Sequence, residues 1–327
     1  MTEIRVHSKF SRTAVPLPPK DTKVFTSLVE VERSLRATGY IADSVAVTTV
    51  YLADSLHRPL LLEGPAGSGK TQLAYAIADA GHTAVERLQC YEGITEDKAI
   101  GKFDESLQRL CVELKSRSAV VEWGSLQAEL HGRQFFVAGP LLRALEYREP
   151  CVLLIDELDK VDQAFEAVLL ELLSAWRLSI PKLGTIEADS IPLVVLTSNE
   201  ERRIGDPLRR RSFYLRVEHP SAEREAEIVA LNTPNASRQF HAGLAGLAKA
   251  LRGWSLEKPP SVSEILDLAQ ALRVLGEDRV TPEMRDILLP LLAKTEADRK
   301  KLLLRDGFAS LIYDAQQHTQ EALRSAA

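Results

Sequence analysis

Apolar residues recur along this chain in two rhythms, and the change between them divides it. From residue 26 to about residue 218, short unbroken apolar runs alternate with helical stretches. Pro59-Leu60-Leu61-Leu62, Cys151 to Ile155 and Leu193-Val194-Val195-Leu196 are such runs. Their length and continuity predict strands buried on both faces of a parallel sheet. Two helical patterns lie between Thr26 and Leu56, broken near Gly39, the second with Val45, Val47, Val50, Tyr51 and Leu52 on its apolar side. Further helices are predicted from Lys70 to about Ala80 and from Phe165 to Leu173. Alternation around Lys182-Leu183-Gly184, within Leu178 to Ala188, predicts a β-hairpin. Strands interleaved with helices give an α/β domain over residues 26–218.

After His219-Pro220 the strand rhythm stops. Leu244, Leu247, Ala248 and Leu251 repeat at helical spacing, as do Ile265, Leu268, Ala269 and Leu272, and a further helix covers Ile287 to Leu292. Ser261-Val262-Ser263-Glu264 has the spacing of a capping box and predicts a helix start after Pro259-Pro260. Residues 219–327 therefore read as a small helical domain. Residues 1–25 are polar and dotted with proline, and read as an extended arm.

Composition narrows the function classes. The 327 residues are 45% hydrophobic and 27% charged, the balance of a globular protein. A net charge of −5 creates no overall basic field for nucleic acid or anionic lipid. No apolar run approaches the ~20 residues that span a bilayer, and the N-terminus has no apolar signal core. Cys90, Cys111 and Cys151 form no C-x-x-C pair, which argues against a disulfide framework or zinc site and fits a reducing cytoplasm.

The chemistry sits at the strand ends. Gly64-Pro65-Ala66-Gly67-Ser68-Gly69-Lys70-Thr71 fits G-x-x-x-x-G-K-[ST] between an apolar strand and a helix. Glycines let the backbone wrap a phosphate while N–H groups of the helix start, through Gln72, point at it. Lys70 supplies a charge for the β- and γ-phosphates of ATP, and the Thr71 hydroxyl is a candidate Mg²⁺ ligand. The run Val152 to Ile155 ends in Asp156-Glu157. Alone, two acids there often cap the next helix. Beside a phosphate loop they read as a Mg²⁺ ligand, Asp156, and a water-polarising base, Glu157. Asn199 ends the third run, positioned to hydrogen-bond a γ-phosphate or the attacking water, although asparagine also serves turns. Arg209, Arg210 and Arg211 read as a solvated face, an RNA patch or an arginine finger. The finger is preferred, since it stabilises transition-state charge.

With these features in this order, the chain resembles the AAA+ ATPases, and within them the MoxR group. It is most similar to the carbon monoxide dehydrogenase accessory (CoxD-like) branch. The similarity runs from about Val29 to Leu275 and rests on RPLLLEGPAGSGKT, LLIDELDK, LSIPKLGTIEA and LTSNEERRIGDPLRRR. It implies a P-loop αβα core with a smaller all-α lid, assembled as a homo-hexamer with ATP between subunits. Tyr40 and Ile41 would lie near the adenine. Asn199 would be the sensor-1 residue and Arg211 the finger, with Arg210 as its understudy. Phe135 to Pro140 would belong to the insertion in helix 2, and Leu178 to Ala188 to the hairpin before sensor 1. A client protein, such as a metalloenzyme, and a von Willebrand factor A type adaptor are the implied partners. Two features depart from the family. The lid helix start, Lys258 to Glu264, has no arginine, leaving Lys258 as a weak substitute. Ala99 to Leu130 is richly charged and reads as either a partner surface or a variable loop.

The expected function is therefore ATP hydrolysis coupled to remodelling or maturation of a client protein. A nucleic-acid-directed motor and a nucleotide-gated scaffold with little turnover are the alternatives. GTP is disfavoured because no N-K-x-D tetrad is present.

Overall fold

The computed structural model describes residues 23–116, 122–304 and 307–325. Most of the predicted arm, residues 1–22, lies outside the described residues. The first two helices, α1 (Leu28–Ala37) and α2 (Ser44–Ser55), each begin at a side-chain cap. Ser27 Oγ accepts the Glu30 N–H at 3.2 Å, and Asp43 Oδ1 accepts the Ala46 N–H at 2.8 Å. The buried face of α2 differs from the expected one. Val45 is 64% and Leu52 37% exposed, while Ala46, Val47, Val50 and Ala53 are buried. Small alanines let the helix lie close to the sheet. Asp54 is buried beside them because its carboxylate accepts the Val24 and Phe25 N–H groups at 2.9 Å each.

The chain continues through β1 (Leu60–Glu63), α3 (Lys70–Ala80), β2 (Val85–Gln89) and α4 (Glu96–Ala99). An excursion follows, made of β3 (Gly101–Phe103), α5 (Glu105–Ser116), α6 (Trp123–Leu130) and β4 (Phe136–Ala138). β3 and β4 pair antiparallel, from Gly101 opposite Ala138 to Phe103 opposite Phe136, so the excursion leaves and returns at one place. No residue of α5 is buried. Then come α7 (Pro140–Leu145), β5 (Val152–Asp156), α8 (Gln163–Ala175), β6 (Arg177–Ile180), β7 (Gly184–Glu187), β8 (Leu193–Ser198), α9 (Asp206–Arg211) and β9 (Phe213–Arg216). β6 and β7 form the predicted hairpin.

Among the described residues, five strands form one parallel sheet in the order β2-β5-β8-β1-β9. Because strand side chains alternate between faces, each apolar run feeds two cores. Leu61, Leu153, Ile155, Val194 and Leu196 face α7, α8 and the hairpin. Leu60, Leu62, Leu154 and Val195 face α1, α2 and α3. Every residue of β1, β5 and β8 is buried, which is why these runs show no polar alternation.

The expected boundary at 218/219 lies in the link between β9 and α10 (Ala222–Asn232). After it come α11 (Arg238–Gly253), α12 (Val262–Leu275), α13 (Arg285–Leu292), α14 (Glu296–Leu303) and α15 (Gly307–Ser325). Their apolar faces share a separate core around Leu247, Leu251, Ile265, Leu268 and Leu311. The capping box at Ser261 and Glu264 is formed in both directions. Inside this helical part, Arg252 grips Glu225 through two hydrogen bonds, at 2.6 and 2.8 Å, and donates to the Pro260 carbonyl at 3.0 Å. That third bond aims the start of α12 back at the α/β core.

Candidate functional site

The loop between β1 and α3 lies at the carboxyl end of the parallel strands, where open α/β sheets bind ligands. Two of its glycines are required by close approach. A Cβ on Gly64 would stand 2.1 Å from the Val217 carbonyl oxygen, and one on Gly67 would stand 2.2 Å from the Ser261 Cβ. Gly67 also has φ of 74°, which a side chain would strain. The Val262 N–H donates to the Gly67 carbonyl at 3.3 Å, so the start of α12 rests on the loop itself.

α3 begins at Gly69 with no side-chain cap, which leaves its first N–H groups free of that partner. The Ser68 hydroxyl is buried and, among the described residues, has no hydrogen-bond partner. Lys70 is buried, with Nζ donating to the Gly64 and Pro65 carbonyls at 2.9 and 2.7 Å. Burial pulls its pKa below the usual lysine value, against Asp159, Asp156, Glu200 and Glu157, which favour the charge. Uncapped amides, an orphaned hydroxyl and a lysine held by weak carbonyl acceptors together suit a polyphosphate. Gln72 stands exposed in the first turn of α3.

Asp156 meets this loop from the end of β5. Its Oδ1 accepts the Thr71 hydroxyl at 2.9 Å and the Thr197 hydroxyl at 2.6 Å, while Arg87 donates to Oδ2 at 2.6 Å. Next to it, Glu157 adopts a left-handed backbone with φ 58° and ψ 48°, a conformation found in few residues other than glycine. Its N–H donates to Thr197 Oγ1 at 2.9 Å. Thr197 thus ties both acids to β8. Asn199 follows β8, and its N–H donates to Asp159 Oδ2 at 3.1 Å. Among the described residues no cluster of three or more histidine, cysteine or acidic side chains could hold a metal alone. Thr71 and Asp156 instead suit Mg²⁺, which is usually bound by few protein groups together with substrate phosphates.

Tyr40 and Ile41 precede α2. Arg224 of α10 donates to the Ile41 carbonyl and lies 3.5 Å from an Asp43 oxygen. Burial pushes the Tyr40 hydroxyl up to about 12, opposed by the Arg224 charge and reinforced by Asp43. The three arginines of α9 separate by role. Arg209 is turned inward onto Glu63, whereas Arg210 and Arg211 are exposed and have their carbonyls held by Arg58 at 2.6 and 2.9 Å. The Phe213 N–H bonds the Pro59 carbonyl at 2.8 Å, which puts Arg211 at the amino end of β1. Its own phosphate loop is at the other end of that strand, about 13 Å away by strand rise.

These surroundings bear on the family. Residues 59–212 match the AAA domain of the dynein-related subfamily. The AAA match runs from the start of β1 to the residue before β9 and includes the loop, both acids, Asn199 and all three arginines of α9. The α/β core has the P-loop AAA+ fold, and a helical part follows it. An uncharacterised protein of Staphylococcus haemolyticus (strain JCSC1435), SH1500, is 21% identical over 268 residues, covering 77% of this chain and 90% of that one. Among solved structures, the Thermotoga maritima RuvB Holliday junction branch migration motor is 17% identical, covering 81% of this chain and 68% of that one, with a TM-score of 0.41. A point-mutant form of it is 19% identical, covering 83% and 71%, with a TM-score of 0.42.

Sequence reasoning passed over Thr197, Arg87, Asp159 and His219. Thr197 follows an apolar run in the strand beside Asp156, and that position is the signal that marks it. Arg87 is a charge within an alternating strand. His219, in the link between the two parts, has a buried Nδ1 without a partner among the described residues. Burial lowers its pKa, helped by Arg252 and Lys70 and opposed by Glu218. Lys258, the weak substitute for a lid arginine, is exposed on a loop whose backbone is pinned by Asp298.

Proposed function

We propose that this protein binds Mg·ATP at Gly64 to Thr71 and hydrolyses it, using the energy to remodel or mature a client protein. The reading is carried by the 2.9 Å hydrogen bond from Thr71 Oγ1 to Asp156 Oδ1, which joins the loop helix to the acidic strand end. Main-chain amides of residues 66–72 cradle the phosphates, and Lys70 exchanges its two carbonyl partners for phosphate oxygens. Mg²⁺, when bound, supplies charge neutralisation at the β- and γ-phosphates, and Thr71 and Asp156 are the side chains to hold it, directly or through water. Glu157, fixed by its N–H bond to Thr197, orients and deprotonates the attacking water. Asn199 holds that water or the γ-phosphate from the next strand end. Tyr40 and Ile41 flank the adenine.

Arg211, with Arg210 as understudy, acts on a neighbouring subunit, because each is exposed and distant from its own loop. A homo-hexameric ring supplies such a neighbour. The excursion between β3 and β4 and the β6–β7 hairpin serve as the surfaces for clients or a von Willebrand factor A type adaptor, as in the MoxR group. A nucleic-acid-directed motor is less well supported. Of the basic residues around α9, Arg202 pairs with buried Glu166 at 2.5 Å and Arg209 with buried Glu63 at 2.5 Å, while Arg203, Arg210 and Arg211 are exposed. With a net charge of −5, the three exposed arginines form no broad basic field for a polyanion. Calorimetry with Mg·ATP tests the reading: the wild type should bind and Lys70→Ala should not. Absence of heat with the wild type would reject it.

A further inference from the structure

The carboxylate of Asp156 is divided unequally. Oδ1 accepts two neutral hydroxyls, from Thr71 and Thr197, while Oδ2 faces the Arg87 guanidinium at 2.6 Å. Only 4% of the Asp156 side chain is exposed, against 42% for Arg87. A buried carboxylate needs a positive partner or strong donors to remain charged. Lys70 is close, but its ammonium is turned onto the Gly64 and Pro65 carbonyls. Arg87 therefore supplies the direct ion pair.

Arg87 is arranged to do this from outside. In the β2–β5 register it stands opposite Leu154, and Gln89 stands opposite Asp156. The guanidinium thus reaches forward along the strand, past its own level, to the strand end. It also donates to Gln89 Oε1 and interacts with Tyr75, so it keeps partners on the solvent side if it lets go of the acid. A guanidinium and a divalent cation beside the same carboxylate repel each other, and Mg²⁺ tolerates little distortion of its six-ligand shell.

We propose that Arg87 is the built-in counter-ion of the cation site, holding Asp156 aimed at Thr71 and yielding Oδ2 when a divalent cation arrives. It is a positioning residue, and it sets how much Mg²⁺ the site requires. This rests on the reading that Thr71 and Asp156 hold Mg²⁺ with a nucleotide.

Arg87→Gln and Arg87→Lys test it through two readouts that do not involve turnover. The first is thermal unfolding, in EDTA without nucleotide and again with saturating Mg·ADP. Arg87→Gln should melt several degrees below wild type in EDTA, and the gap should close with Mg·ADP. The second is the affinity of a fluorescent ATP analogue as Mg²⁺ is titrated. The half-saturating Mg²⁺ should fall about tenfold in Arg87→Gln, a usual size for coupling between two ligands of one group. Arg87→Lys, which keeps the charge, should stay near wild type. An equal melting deficit with and without Mg·ADP would reduce Arg87 to a structural ion pair and overturn the proposal, as would an unchanged or raised Mg²⁺ requirement. A wild-type chain that takes up no Mg·nucleotide would remove the functional reading and this inference together.

Discussion

Arg209 and Glu63 form a two-pronged ion pair, Nη1 to Oε1 at 2.5 Å and Nη2 to Oε2 at 2.9 Å, across the last residue of the strand that feeds the phosphate loop. Glu63 is 4% exposed, and Arg209 also lies over the Tyr214 ring at 5.4 Å. Arg209→Ala would strand a buried carboxylate. The expected loss is about 2 kcal/mol of stability, below the roughly 3–5 of a fully buried pair because the arginine is partly in water. Denaturant unfolding measures it.

Arg211→Ala carries the opposite expectation. Among the described residues its side chain donates only to the Pro207 carbonyl, at 3.2 Å, so the fold should be unchanged. Turnover at ring-forming concentrations should fall about 10³-fold, the low end for a lost arginine finger, with nucleotide affinity kept. Phosphate release and analogue binding on the same preparation separate these outcomes.

Glu157→Gln removes the base while leaving the backbone bond to Thr197 in place. Mg·ATP should still bind, and the rate should drop ~10²- to 10⁴-fold. Wild-type turnover in this variant would exclude Glu157 as the base.

Val262→Pro probes the contact between α12 and the loop. Proline suits the first helical position, and Ser261, with φ −72° and ψ 166°, already has the backbone a following proline demands. The helix should persist by circular dichroism. The bond to the Gly67 carbonyl would be lost, weakening nucleotide binding about fivefold for a bond of ~1 kcal/mol.

The thiols respond to pH in a definite direction. Burial first, then the acids Asp156, Glu157 and Asp159, raises Cys90 from 9.0 to about 12, and burial with Glu86 does the same to Cys151. Both stay protonated at pH 8, so iodoacetamide should modify half-exposed Cys111 and spare the other two until unfolding. With folded values above unfolded ones, their contribution to stability is complete below pH 9 and is lost as pH rises toward about 12. Alkaline melting curves check the sign.

The central strands were legible because burial on both faces leaves no polar residue to blur the run, as in Leu60 to Leu62 and Leu193 to Leu196. The glycine loop was legible because its backbone geometry restricts residue type. β2 was not, since only Glu86 and Leu88 of its five residues are buried and its pattern is mixed. Nor was the pairing of β3 with β4, whose partners are more than thirty residues apart in sequence. Val45 and Leu52 misled because hydrophobicity alone does not show that Ala46 and Ala53 permit the closer approach. Arg87 and Thr197 escaped notice because their importance lies in what they touch, Asp156, from two different strands.

The two-stranded stem at Gly101 and Ala138 has a wider consequence. The described residues between them are joined to the core through this narrow base, closed by the Gly139 N–H on the Ile100 carbonyl at 2.7 Å. Such a graft point would let the excursion vary in length and residues without disturbing the five-stranded sheet.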